Sequence, residues 1–109
     1  MSALPPVACE PRLGLPVPDV SVAVDVASLL ADRTRASVLA MLRAGPHCVC
    51  EIAAAIGERE NNVSNHLARL REAGLVRATR HEANARFLYY ERDEDALAAA
   101  RMAVAAILG

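Results

Sequence analysis

The sequence predicts a mainly α fold with one small β-hairpin, and three observations point there. Apolar residues make up 54% of the 109 positions but aromatic residues only 3%. The core must therefore be Ala, Val, Leu and Ile, which suits closely packed helices. Apolar residues recur at helical spacing in successive segments between residues 19 and 108. One stretch, from Leu75 to Glu91, is instead rich in Val, Thr, Phe and Tyr on either side of a polar link, as two short strands would be. A chain of this length forms one small domain with a modest core, so a partner subunit would help to stabilise it.

Residues 1–18 hold five of the six prolines (Pro5, Pro6, Pro11, Pro16 and Pro18) and read as an extended or disordered arm. The folded domain then spans 19–109. Asp19 caps a first helix running to about Leu30, apolar at Val20, Val24, Ala27 and Leu30 or Ala31. Asp32 caps a second, from about Arg33 to Arg43. Val38, Leu39 and Leu42 point inward there, Arg33, Arg35 and Arg43 point outward, and Gly45-Pro46 ends it. A short third helix runs from about Val49 to Ile56, with Gly57 as its C-cap. After Glu58-Arg59-Glu60 comes a fourth, from about Asn61 to Ala73. Val63, Leu67 and Leu70 face inward, and Asn62, Asn65, His66 and Arg69 lie on the other face. Leu75–Arg80 and Arg86–Glu91 are the two strands, and Asn84 in their link suits a left-handed conformation. Asp93 begins a last helix, Glu94 to about Leu108, which is apolar on most sides. Such a helix should be buried against something, most naturally a second copy of the chain.

Two short helices around a tight turn, followed by a hairpin, define a winged helix-turn-helix whose reading head lies between Cys48 and Tyr90. The net charge of -1 looks wrong for contact with nucleic acid. Its distribution does not. All 12 basic residues are Arg. Seven of them (59, 69, 71, 77, 80, 86 and 92) fall between Arg59 and Arg92, against four Glu (60, 72, 82 and 91). A locally basic surface on a near-neutral chain is what phosphate contact needs. Asn61, Asn62, Ser64 and Asn65 sit where base readers belong, because Asn carries the paired donor and acceptor that adenine matches. His66 and Arg69 follow along that side. Arg69, Arg77, Arg80 and Arg86 suit phosphates, which fix register without reading sequence. No apolar run reaches the roughly 18 residues of a membrane span. The N-terminus lacks a basic segment followed by an apolar block, so a cytoplasmic location is expected.

Three cysteines, an odd number, argue against a disulfide framework and for metal or redox chemistry. Cys48 and Cys50 flank one Val. Two residues apart on a regular helix they would point some 200° from each other. On an extended backbone they point the same way. Pro46 fixes the chain just before them, so the pair should sit at the unwound start of the third helix. The helix dipole there favours thiolate. A third thiolate would complete a soft three-sulfur site, and Cys9 on the arm is the other candidate. His47 is adjacent and available as a further ligand.

Four runs occur in order: Asp32-Arg33-Thr34-Arg35, Cys48-Val49-Cys50-Glu51-Ile52, Asn62-Val63-Ser64-Asn65-His66-Leu67 and Leu70-Arg71-Glu72-Ala73-Gly74-Leu75-Val76. Together they resemble the ArsR/SmtB family of metal-sensing repressors over roughly residues 20–108. The resemblance implies a homodimer joined through its first and last helices, which holds operator DNA until an inducing ion binds. It also implies that Cys9 of one protomer joins Cys48 and Cys50 of its partner. Three thiolates without a fourth suit As(III) or Sb(III); the alternatives are Pb(II) or Cd(II) on the same cysteines, or a thiol-redox trigger. The family's carboxylate and His site for Zn(II) on the last helix is expected to be absent, since no His follows His81. Asp93, Glu94 and Asp95 are better explained as partners of that helix's N-terminal dipole. The family usually has an apolar residue and a Ser or Thr before the recognition helix, where this chain has Glu58 and Arg59. No pattern of enzyme chemistry is visible.

Overall fold

The computed structural model describes residues 14–84 and 87–109. The elements run α1 (Ser21–Leu30), α2 (Arg33–Met41), β1 (His47–Cys48), α3 (Val49–Ile56), α4 (Glu60–Glu72), β2 (Val76–Arg80), β3 (Leu88–Arg92) and α5 (Glu94–Leu108). A 3-10 turn over Leu42–Ala44 finishes α2, so the expected helix to Arg43 tightens in its last residues. The expected hairpin is present as β2 and β3, antiparallel from Val76↔Arg92 to Arg80↔Leu88. β1 adds a third strand on the far side of β3, pairing His47↔Tyr90 and Cys48↔Tyr89. Two residues show no periodicity, so β1 was not legible as a strand. It matters all the same, because it ties the start of α3 to the wing.

The caps follow from side chains at the chain's turns. Asp32 accepts the Arg35 N–H at 3.0 Å and starts α2. That bond is the first cause holding its carboxyl below the ordinary value of 3.8. The cap therefore contributes fully above that value and is lost as the pH falls through the lowered one. Asp93 accepts the Ala96 N–H at 3.0 Å and starts α5. Gly57 ends α3 in the left-handed region at φ 73°, which a side chain there would strain.

One core joins these elements. Val38 of α2, Ile52 of α3, and Val63, Leu67 and Leu70 of α4 are fully buried. Leu42 of the 3-10 turn, Leu75 just before β2, and Val76 and Tyr90 of the sheet close the cluster. The inward faces read from α2 and α4 are thus the ones that pack.

Two expectations need correction. Arg35 does not point outward: its Nε donates to Leu29 O at 2.8 Å and its Nη2 to Ser28 O at 3.2 Å. The last carbonyls of a helix lack i+4 partners, and here the guanidinium bonds Leu29 O and joins the Ala31 N–H at Ser28 O. Asn84 is not left-handed, because among the described residues only glycines have positive φ. The wing turn is held instead by His81, whose Nδ1 accepts the N–H groups of Ala83 and Asn84, each at 3.1 Å. Within the single chain α5 buries only Ala100, while Met102 and Leu108 are 73% and 78% exposed.

Replacing Leu67 by Ala should cost about 2–5 kcal/mol, as for other fully buried leucines. Asp93→Ala should cost about 1 kcal/mol through loss of the α5 cap. Urea unfolding of the two variants measures both. A smaller loss for Leu67→Ala than for Asp93→Ala would contradict the packing described.

Candidate nucleic-acid interface and thiol pocket

The turn Gly57–Arg59 sets α4 after α3, and α4 begins at Glu60 behind the N-cap residue Arg59. Burial of Val63, Leu67 and Leu70 fixes the rotation of α4, and the opposite side is left to solvent. Asn61, Ser64, Asn65 and Arg69 are exposed on it. Asn62 is half-buried at its edge, and its Nδ2 donates to Glu58 Oε2 at 2.8 Å. His66 is turned away from this side. Its Nδ1 lies 3.3 Å from Arg35 Nη1 and its Nε2 lies 3.7 Å from Asp32 Oδ1. A guanidinium only donates, so Nδ1 accepts and the ring proton is assigned to Nε2, facing the carboxylate. His66 thus fastens α4 to the α1–α2 corner. The spacing that put it beside Asn65 did not reveal this contact, because its partners lie 31 and 34 residues earlier.

The arginines expected on the wing are placed differently from one another. Arg77 Nε lies 3.0 Å from Glu91 Oε1, and its Nη1 lies 3.7 Å from Asp93 Oδ2. Glu91 raises its pKa, and the pair offsets part of its charge. Arg80 is exposed at the end of β2. Arg86 lies outside the described residues, as does Cys9 together with the rest of segment 1–13 of the expected arm.

Cys48 and Cys50 sit where strand becomes helix. Cys48 is the N-cap of α3, with extended backbone at φ -84° and ψ 165°, and Cys50 falls in the first turn. The extended N-cap lets both side chains meet, and their Sγ atoms lie 2.7 Å apart. Cys48 is buried and Cys50 exposed. Glu51 completes the junction: its carboxylate accepts the Cys48 N–H at 3.1 Å, the acidic half of a capping box. His47 Nδ1 lies 3.5 Å from the other Glu51 oxygen.

The expected thiolate character does not hold at Cys48. Burial, followed by the bond to Cys50, pushes its thiol up to about 11. Desolvation outweighs the Glu51 N–H at the helix start, which acts the other way. Among the described residues no third His, Cys, Asp or Glu joins the pair to make a set able to hold a metal ion.

The thiols open into a pocket of about 330 Å³, whose walls include Val49, Glu60, Ser64, Phe87, Leu88 and Tyr90. Glu60 and Ser64 belong to the first turns of α4. The pocket therefore lies between the start of α3, the recognition helix and the wing. Ser64, read from the sequence as a base contact, also lines this pocket. The signal that would have found it is the pairing of β1 with β3, which brings Cys48 under the wing.

Helix, turn, helix and hairpin in this order make the protein a winged helix-turn-helix protein. Residues 32–78 match the model of the bacterial regulatory protein, arsR family. The chain is 45% identical over 67 residues to the HTH-type transcriptional regulator KmtR of Mycobacterium tuberculosis, covering 60% of this chain and 52% of that one. It is 37% identical over 54 residues to the arsenical resistance operon repressor of Escherichia coli, covering 49% and 46%. It thus spans about half the length of these curated relatives. A crystal structure of a possible transcriptional regulator for arsenical resistance superposes with a TM-score of 0.68 at 31% identity, over 76% of this chain and 83% of that one. The chain belongs to the ArsR family of bacterial regulators.

At pH 8, a thiol raised from its ordinary 9.0 to about 11 holds roughly a hundredfold less thiolate, and iodoacetamide should modify Cys48 slower in proportion. Cys50, being exposed, should be modified first. Peptide mapping of a Cys9→Ser chain measures both. Modification of Cys48 at the rate of free cysteine would contradict the burial argument.

Proposed function

We propose that this chain is a metal(loid)-responsive transcriptional repressor, bound to operator DNA as a homodimer and released when As(III) or Sb(III) is captured by cysteine thiolates. The observation that carries the reading is the thiol pocket itself, because one wall of it is the recognition helix. Cys48 and Cys50 are the ligands, with Cys9 as the third thiolate. Asn61, Asn62, Ser64 and Asn65 read bases, and Arg69, Arg80 and Arg86 meet phosphates. Arg77 adds to them once its ion pairs rearrange. His66 positions α4 rather than reading.

The pair fits a soft trivalent ligand. Arsenous acid is neutral, and it condenses with three thiols to a tris-thiolate and three waters with no net proton release. A divalent cation must displace the thiol protons instead, so its capture depends on pH. Capture at the start of α3 acts on the element that leads into α4. The ligand must favour the shape that does not fit DNA, or nothing shifts.

The dimer reading rests on uncovered apolar surface. Val20, Val22, Val24 and Leu30 at α1, and Met102, Ile107 and Leu108 on α5, are exposed. A groove of about 450 Å³ between these helices is lined by Val26, Leu30, Leu97, Val104 and Leu108 among others. A second copy would bury this surface and enlarge a small core. No helix of the described residues is long and apolar enough to cross a membrane, and the proposed location is the cytoplasm with the DNA.

Cys48→Ser with Cys50→Ser should leave operator binding intact and abolish release by arsenite in a gel-shift titration. Release of the double variant at the normal arsenite concentration would sink the site assignment. Between pH 6.5 and 8 arsenite release should change little, while any release by Cd(II) should strengthen about tenfold per pH unit for each proton displaced. An arsenite response as steep as that of Cd(II) would overturn the condensation argument. Arg69→Ala should reduce the slope of log affinity against log salt by about 0.9.

A further inference from the structure

Glu58 has no part in the thiol pocket, and its carboxylate is exposed beside a surface meant for phosphates, which it repels. It stands in the turn before α4. Its Oε2 accepts from Asn62 Nδ2 at 2.8 Å, and its Oε1 accepts from Thr34 Oγ1 at 3.4 Å. Thr34 is in the first turn of α2 and Asn62 in the first turn of α4. The carboxylate thus lies near the N-terminal ends of two helices, where negative charge is favoured. Yet its bond on α4 goes to a side-chain amide, and the N-cap residue Arg59 makes no side-chain cap bond. Glu58 is therefore holding Asn62 rather than capping the helix.

We propose that Glu58 sets the base preference of the reading head by locking the amide of Asn62 in one orientation. This rests on the reading of α4 as the base-contacting helix. An Asn amide has two N–H donors and one acceptor oxygen. Glu58 takes one N–H, which fixes the nitrogen end and blocks the half-turn that would exchange it with the oxygen. The second N–H and Oδ1 remain, and these are the donor and acceptor that match adenine N7 and N6. Without Glu58 the amide presents either order and tolerates other bases. The negative charge has a separate effect, since it weakens contact with any DNA. Glu58 therefore lowers general affinity while sharpening selectivity. It is a positioning residue that acts through Asn62.

The test uses the full chain. An operator is selected from a random duplex library, and binding to each single-base variant of it is measured. Asn62→Ala identifies the base pair that Asn62 reads. Glu58→Ala should lower discrimination at that same pair by roughly three- to tenfold, leave the other pairs unchanged, and raise affinity for non-specific duplex. Glu58→Gln keeps an acceptor without the charge. It should retain the discrimination yet gain the same non-specific affinity, a combination that a merely structural role does not produce. Glu58→Asp, too short to reach Asn62, replaces the Ala variant if that one fails to fold, with the same loss expected. If the full chain selects an operator and Glu58→Ala leaves discrimination at the Asn62 pair intact, or weakens all pairs evenly, the role of Glu58 is overturned and base reading by α4 stands. If the full chain selects no sequence, base reading itself fails and the role of Glu58 with it.

Discussion

The packing of α4 against α2 and α3 is the constraint on which the rest of the molecule depends. Val63, Leu67 and Leu70 are fully buried with Val38 and Ile52, in a core with almost no aromatic bulk to fill gaps. Close-packed aliphatic side chains leave little freedom of rotation. The same contact that stabilises the domain therefore decides which residues of α4 face outward. Asn61, Ser64, Asn65 and Arg69 are presented because Leu67 and Leu70 cannot be. Polar contacts refine this setting at the edges: His66 bridges toward Arg35 and Asp32, and Glu58 holds Asn62.

Little chain separates the thiol pair from the recognition helix. The buried thiol of Cys48 is at once the end of β1 and the N-cap of α3. β1 pairs with the wing, α3 leads through one turn into α4, and the thiol pocket opens between wing and α4. Under the proposed function, a ligand drawn to these sulfurs would touch all three elements. Coupling here needs no long path, only a junction whose geometry differs between two states.

The domain is also small for the surface it must bury. α1 and α5 lie against each other, yet their apolar side chains remain largely uncovered. In the proposed dimer a chain with so modest a core would gain stability by sharing that surface, and a two-fold arrangement would place two recognition helices on one duplex.

The sequence by itself determined the order and faces of the helices. The helical spacing of Val63, Leu67 and Leu70, the capping carboxylates of Asp32 and Asp93 and the stop at Gly57 are local signals that act within one or two turns. The hairpin was legible for the same reason, and so was the likeness of the Cys48-Val49-Cys50 segment to a family of sensors. What tertiary structure decided is everything that depends on partners distant in sequence. Arg35 looked like a solvent-facing charge until the carbonyls of Leu29 and Ser28 came within reach. His66 looked like a base contact until α2 lay beside it. β1 exists only because Tyr89 and Tyr90 arrive to pair with it. Burial pushed the Cys48 thiol up, against the thiolate that a helix end favours. Desolvation is a property of the packed surroundings, and no local spacing records it.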